Sequence, residues 1–236
     1  MSSYLNLGMV SPFRLARDIE ALPPSDGKTK FADEFYKWRG ISYNHAFYSP
    51  KPPHSHEALP AWALTTLRAH ATDPRHEYTI EELERAQTDS RVWNEMQTFL
   101  EITGELHNNC RMFWGRAIIA WSRGPEDAMQ KLVHLNDKFA LDGLSPPSYA
   151  GLGWCLGLFD KPQGETAVFG KIRPKNVNTH KIKDKLSEFR RIAVKAVGSS
   201  EAVSSPRPST SRQSRIESFF SPASAAKRRK LGTEDD

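Results

Sequence analysis

The stretch WNEMQTFLEITGELHNNCRMFWGRAIIAW, residues 93–121, decides the fold of this chain. Apolar residues in and just before this stretch recur at the spacing of amphipathic helices over two segments, 90–102 and 110–121. Each segment therefore predicts a helix. Strand signals are nearly absent along the whole chain, which favours an all-α fold.

The same periodicity extends over residues 1–198 and predicts further helices at 13–22, 28–38, 58–71, 79–86, 125–139 and 181–197. Thr79 and Glu82 have the spacing of a capping box, and Pro125 suits a first helical turn. The proline-containing stretches 49–56 and 144–148 are predicted loops. We therefore predict one all-α domain over residues 1–198.

Three tryptophans stand out within these helices. Trp114 and Trp121 lie two turns apart on one predicted helix face, about 10 Å along its axis, and Trp93 lies on the preceding helix. Indoles that approach one another can pass an electron along a chain. Indoles at this spacing are more often core residues, so spacing alone favours the core interpretation and leaves electron transfer open.

The composition changes at Gly198 to serine, proline, alanine and charged residues, so residues 199–236 are predicted to form a disordered tail. Within it, QSRIESFF at 213–220 fits the pattern Q-x-x-[ILM]-x-x-[FY]-[FY] of peptides that dock on PCNA, the eukaryotic sliding clamp. One helical or 3₁₀ turn brings its apolar members to one face. The pattern residues are Gln213, Ile216, Phe219 and Phe220.

A basic run follows, made of Lys227, Arg228, Arg229 and Lys230. Such a run is either a solvated charged segment or a signal that a nuclear import receptor reads. A clamp-binding peptide works only in the nucleus, which favours import and predicts nuclear localisation.

The overall composition and charge disfavour several classes of protein. No stretch approaches the ~20 apolar residues of a membrane span, and a net charge of +5 is too small to indicate nucleic-acid binding by itself. Cys110 and Cys155 lack metal or redox spacing and are predicted to be buried thiols. No paired-carboxylate metal cluster is evident, which disfavours a clamp-recruited nuclease. No exposed heptad pattern is visible, so a monomer is expected.

Short sequence motifs within residues 1–198 carry more information than the helical periodicity does. They are the 93–121 stretch, LVHLNDKFALDG at 132–143 and VFGKIR at 168–173, preceded in order by FADEFYKWRG at 31–40 and PAWALTTLRAHA at 60–71. Together they resemble the C-terminal part of the flavin-binding domain of class II cyclobutane pyrimidine dimer photolyases. The resemblance runs from about Ser3 to Lys195.

This resemblance implies a helical FAD-binding domain of the photolyase/cryptochrome type. It also implies a carbon–carbon lyase activity, in which light drives an electron from reduced FAD to a flipped-out pyrimidine dimer in DNA. The tail would recruit that activity to PCNA.

The resemblance assigns residues to the flavin. Arg111 and Asp142 match a pair that lies against the flavin ring, and Asn136 matches an asparagine that holds ring nitrogen N5 and favours the reduced form. Ser2 matches the end of a loop that cradles the flavin diphosphate. The photoreduction chain, in order from the flavin to solvent, is matched by Trp114, Trp93 and Trp121, with Tyr78 at its outer end.

Other positions match the lesion pocket. Glu34 and Trp38, at i and i+4, match a carboxyl group that hydrogen-bonds a pyrimidine and an indole that stacks on it. Trp154 matches the opposite stacking wall, and Met112 matches a flanking contact. Arg173 matches a basic residue that fills the space left by the flipped-out dimer.

The sequence departs from the family pattern in three places, one of which is Pro174, where relatives have an aromatic residue after the position of Arg173. Met1 falls inside the diphosphate loop, so the α/β antenna domain and its chromophore are expected to be missing from this chain. The family's LDGRDPNGY reads LDGLSPPSY at 141–149, with Leu144 and Ser145 in place of a charged pair. The chain is then either part of a complete photolyase or a truncated, non-catalytic module that binds the clamp and DNA. A bound flavin distinguishes the two.

Overall fold

The structure, a computed structural model, describes residues 1–174, and every regular element in that range is helical. The all-α prediction is therefore confirmed for this part of the chain. The predicted helix at 181–197 and the tail with its two motifs lie outside the described residues. The helices are α1 Ser2–Asn6, α2 Pro12–Ala21, α3 Asp26–Ala32, a π-helical turn Asp33–Trp38, α4 Arg39–Tyr48, a 3₁₀ turn His56–Ala58, α5 Ala61–Ala69, α6 Ile80–Glu84, α7 Arg91–Thr103, α8 Asn108–Ala120, α9 Gly124–Phe139 and α10 Pro146–Cys155.

Helix α8 forms the centre of the described body, because α7, α9 and α10 all pack against it. Gly115 permits the close approach of α10, since a Cβ at this position would lie 2.8 Å from the Cys155 sulfur. Both cysteines are buried free thiols, as predicted. Burial raises the pKa of the Cys155 thiol to about 11, so this sulfur stays protonated and packs as an apolar group.

The predicted loop at 144–148 is wrong at its second half, where α10 begins with Pro146. A proline in the first turn forfeits only an N–H that has no partner inside the helix, so the Pro-Pro pair starts a helix here. Ser145 caps the helix, and its hydroxyl accepts a hydrogen bond from the Ser148 amide at 3.3 Å. Helix α4, which packs on α10, was not predicted either.

The predicted helix at 28–38 is present, but its second half is not α-helical. Helix α3 ends at Ala32, and a π-helical turn with wider backbone spacing leads into α4. In this turn the Trp38 indole nitrogen donates to Asp33 Oδ2 at 3.1 Å, across five residues. The Trp38 side chain is therefore held by Asp33, five residues earlier. It is not held by Glu34, four residues earlier.

The other predicted helices are present with small shifts in their ends. Thr79 and Glu82 make both hydrogen bonds of the capping box, at 3.2 and 2.8 Å. Pro125 lies in the first turn of α9, as predicted. Within residues 1–174, no helix is both long enough and apolar enough to cross a membrane.

A half-buried histidine ties the end of the described chain to α5. His70 contacts Asp73 Oδ2 through Nδ1 at 2.7 Å and Glu165 Oε1 through Nε2 at 3.1 Å. The Val168 amide also donates to Asp73 Oδ2, at 2.7 Å. Hydrogen bonds to Asp73 and then to Glu165 raise the pKa of His70 above its ordinary value of 6.5. The charged imidazolium therefore stabilises this junction.

We expect the stability of the protein to depend on the charge of His70. Because the folded pKa of His70 is raised, its contribution is fully present below the unfolded pKa of 6.5 and is lost as the pH rises through the folded pKa. Urea unfolding from about pH 6 to about pH 9 should show this loss, and His70→Gln should flatten it. An equal pH dependence in His70→Gln would contradict the assignment.

Candidate functional site

A cleft of about 510 Å³ opens between the N-terminal helices and the pair α8 and α10. One end is bordered by α1, the turn at 142–145 and the start of α10, and the other by α4 and the end of α10. The predicted site residues that line it are Ser2, Glu34, Trp38, Arg111, Met112, Asp142 and Trp154. Residues far apart in the sequence thus share one concave surface.

A buried ion pair forms the polar end of the cleft. Arg111 Nη2 donates to Asp142 Oδ1 at 2.8 Å, and the two side chains are only 10% and 14% exposed. The Ser2 hydroxyl donates to the other carboxylate oxygen of Asp142 at 2.7 Å. The Asn6 amide docks α1 on the same turn by donating to the carbonyl oxygens of Leu141 and Gly143 at 3.1 and 2.9 Å. This network holds the guanidinium plane in place at the cleft wall.

Asn136 does not line the cleft, in contrast to the contact implied by the resemblance. It lies on α9 and is 1% exposed. Its Oδ1 accepts a hydrogen bond from the Ser148 hydroxyl at 3.0 Å, and its Nδ2 donates to Asp137 Oδ1 at 2.9 Å. Ser148, which the sequence analysis did not single out, lines the cleft in front of it.

The two indoles of the predicted lesion pocket touch each other. The ring centroids of Trp38 and Trp154 are 4.5 Å apart with an interplanar angle of 50°. This is direct aromatic contact, and it leaves no space for a base between the rings. The role of Trp154 as the opposite stacking wall of a bound lesion stays a prediction. The pair forms one angled apolar surface, because α4 packs on α10.

Glu34 lies beside this surface on the π-helical turn. Its carboxylate pairs with Lys30 at 2.5 Å, on the same side of the helix one turn earlier. The Glu34 side chain is 44% exposed, so the pair is solvent-screened and weak. The carboxylate can therefore exchange this partner for a ligand at small cost.

The tryptophans of the predicted chain approach one another closely. Trp93 stacks on Trp114 with centroids 6.2 Å apart and an interplanar angle of 6°, and it meets Trp121 edge-on at 5.3 Å. Tyr78 meets Trp121 edge-on at 5.0 Å. Trp93 and Trp114 are buried, whereas Trp121, just past the end of α8, is half-buried. The rings form a continuous array from the Trp114 position, one turn from Arg111, towards the surface.

Two arginines differ in their availability. Arg173 makes a two-point ion pair with Asp160, with both N···O distances at 3.0 Å, and it does not line the cleft. Arg116, which the sequence analysis missed, lines the cleft, and its buried Nε has no hydrogen-bond partner in the described structure. Arg116 therefore keeps one buried donor unsatisfied next to the cleft, where buried polar groups are normally hydrogen-bonded. No group of three or more metal-ligating side chains occurs within residues 1–174.

The sequence of the chain matches curated proteins over this body. A relative from Methanothermobacter thermautotrophicus is 38% identical over 192 residues, and one from Potorous tridactylus is 37% identical over 197 residues. A third relative, from Oryza sativa subsp. japonica, is 36% identical over 183 residues. Each of the three is named deoxyribodipyrimidine photo-lyase.

The chain is similar to deoxyribodipyrimidine photo-lyases. These matches cover 80%, 81% and 75% of the chain, but only 42%, 36% and 35% of the respective photo-lyases. The chain thus spans about two-fifths of the length of the photo-lyases that it matches. No family profile matches the chain.

Proposed function

We propose that the cleft binds FAD and a pyrimidine dimer, and that the chain takes part in light-driven repair of cyclobutane pyrimidine dimers in DNA. One observation carries this proposal. A single cleft holds a buried arginine–carboxylate pair at one end and an angled indole pair at the other, and an array of aromatic rings starts one helical turn behind the arginine. The similarity to photo-lyases supports the same chemistry.

The chemistry of the lining residues fits a flavin ring. Such a ring has flat apolar faces and a polar edge of ring nitrogens and carbonyl oxygens. Arg111 supplies donors at the polar end of the cleft, and the apolar side chains of Leu5, Phe35 and Leu106 supply flanking surface. A reduced flavin bound here would supply, on excitation, the electron that opens the cyclobutane ring.

The residues at the other end of the cleft suit a flipped-out lesion. The indole faces of Trp38 and Trp154 offer an apolar surface on which pyrimidines can stack, and Asp33 fixes the Trp38 indole by a hydrogen bond. The Glu34 carboxylate can accept a hydrogen bond from an N–H group at the pyrimidine edge once it leaves Lys30. The Arg116 guanidinium lines the same cleft and can donate to a base carbonyl or a backbone phosphate.

A repair assay tests the proposed activity. Purified chain, incubated with excess FAD and a reductant, is mixed with an oligonucleotide that contains one thymine dimer and is illuminated. We expect light-dependent loss of the dimer and none in darkness. Bound flavin without any light-dependent repair would contradict the proposed activity and favour the non-catalytic module that binds DNA and the clamp.

The tail motifs lead to two further proposals, both for residues outside the described range. Residues 213–220 would hold the chain at PCNA, and Lys227–Lys230 would bring it to the nucleus through an import receptor. The motif spacing and the polar composition around it support these roles. The distribution of a fluorescent fusion with the four basic residues replaced by alanine tests the import role, and unchanged nuclear accumulation would refute it.

Replacing Phe219 and Phe220 together by alanine is expected to weaken clamp binding by at least ~100-fold, because each buried phenylalanine contributes roughly 1.5–3 kcal/mol. Titration calorimetry with purified PCNA measures this change. Replacing Ser214 and Ser218, at positions that the pattern leaves open, is the matched control and should have little effect. Equal affinities of the two double variants would refute the docking role.

A further inference from the structure

Ser148 lines the cleft and is hydrogen-bonded to Asn136, which does not line it. Ser148 is 5% exposed. Its Oγ lies 3.0 Å from Asn136 Oδ1 and 3.5 Å from Arg111 Nη1. A ligand in the cleft therefore meets this hydroxyl before it can meet the amide of Asn136.

The neighbours of Asn136 determine the direction of the hydrogen bond. Asp137 Oδ1 accepts from the Asn136 side chain at 2.9 Å and from the Leu144 amide at 3.1 Å, and Asp137 Oδ2 accepts from the Tyr149 hydroxyl at 2.9 Å. Because the carboxylate of Asp137 only accepts, the NH₂ group of Asn136 must face it. The Oδ1 of Asn136 therefore faces Ser148, and Ser148 must donate.

This arrangement commits the only proton of the Ser148 hydroxyl. A serine hydroxyl has one donor and two acceptor lone pairs. The proton goes to Asn136, and the Arg111 guanidinium, which can only donate, faces the oxygen from a third side. The Ser148 oxygen is thus left as an acceptor towards the cleft.

The first turn of α10 holds Ser148 in this place. Ser145 accepts from the Ser148 amide at 3.3 Å and donates to the Asp142 carbonyl oxygen at 2.8 Å. The cap thereby links the position of Ser148 to the turn that carries the Arg111 partner, Asp142. The hydroxyl is not part of the family resemblance, since the pattern LDGRDPNGY has glycine where this chain has Ser148.

We propose that the Ser148 hydroxyl is the hydrogen-bond acceptor that this cleft presents to N5–H of a reduced flavin, and that Asn136 is a positioning residue that acts through Ser148. This inference rests on the proposed binding of FAD. An oxidised flavin has no hydrogen on N5, so the acceptor favours the reduced form. Ser148 therefore sets part of the redox preference of the site, in place of a direct contact from Asn136.

The test measures the midpoint potential of FAD bound to variants of the full chain. This potential gives the ratio of the dissociation constants for oxidised and reduced FAD. We expect Ser148→Ala to reduce the preference for the reduced form by about fivefold, the effect of one lost hydrogen bond. Ser42→Ala is the matched control, because its hydroxyl also lines the cleft but donates to the Trp38 carbonyl oxygen. It should leave the ratio unchanged.

A double-mutant cycle separates positioning from direct contact. If Asn136 acts through Ser148, Asn136→Ala lowers the ratio in the wild-type background and changes nothing further in Ser148→Ala. Additive effects would overturn the positioning role. If Asn136→Ala does not fold, equal ratios for Ser148→Ala and Ser42→Ala would still overturn the inference. Bound FAD with these results would leave the proposed function intact, whereas absence of bound FAD in the wild-type chain would overturn both.

Discussion

Replacing Trp93 by phenylalanine is expected to abolish most of the photoreduction of a bound flavin while leaving the flavin in place. Trp93 is the middle ring of the array, fully buried between Trp114 and Trp121. Phenylalanine fills part of the same space but is far harder to oxidise than an indole. An electron from the outer rings would then have to cross the whole gap between Trp121 and Trp114 in one step.

The loss of photoreduction should be separable from loss of structure. Trp93→Phe also removes the hydrogen bond from the indole nitrogen to the Trp114 carbonyl oxygen at 3.0 Å and leaves a small void, together about 1–3 kcal/mol of stability. Trp62→Phe is the matched control, because Trp62 packs against the core outside the array. Absorbance under blue light measures photoreduction, and repair by chemically reduced protein should survive. Normal photoreduction in Trp93→Phe would show that electrons follow another route.

Replacing Asp142 by alanine is expected to lower the free energy of unfolding by about 3–5 kcal/mol, because it leaves the buried guanidinium of Arg111 without its counter-charge. The change also removes the acceptor of the Ser2 hydroxyl, so α1 loses one of its contacts with the cleft wall. A flavin ring would then lose the fixed donor at its polar edge. We expect flavin binding to fall with stability.

Urea unfolding of the flavin-free variant isolates the structural part of this effect. Glu77→Ala is the control, since Glu77 pairs with Arg123 at the surface and such pairs contribute about 0–1 kcal/mol. Asp142→Asn keeps the shape of the side chain and one acceptor oxygen, so it removes the charge and one of the two hydrogen bonds that Asp142 accepts from Arg111 and Ser2. An unfolding free energy for Asp142→Ala no lower than that of Glu77→Ala would contradict the structural role of the pair.

The parts of the fold that the sequence predicted are those with a strong helical period. Helices α7 and α9 alternate buried and exposed faces over at least three turns, so their apolar residues recur clearly. Helix α10 has no polar face of this kind and begins with two prolines, so periodicity and turn signals both pointed away from a helix. The π-helical turn at 33–38 has no sequence signature, because its residues are ordinary helix formers.

The residues of the candidate site also divide into those that the sequence predicted and those that it did not. The motifs identified Arg111, Asp142 and the three tryptophans of the array, and the structure brings each group together. Contacts that depend on how helices pack could not be predicted. The angled contact of Trp38 with Trp154 follows from the packing of α4 on α10. The contact of Ser148 with Asn136 follows from the packing of the first turn of α10 against α9.

The absorption spectrum of the purified chain after incubation with FAD and gel filtration tests the central claim most directly. Binding of FAD in the cleft predicts a flavin spectrum with about one flavin per chain that survives filtration and is lost in Asp142→Ala. A folded chain that elutes without flavin would contradict the claim that this cleft is a flavin site.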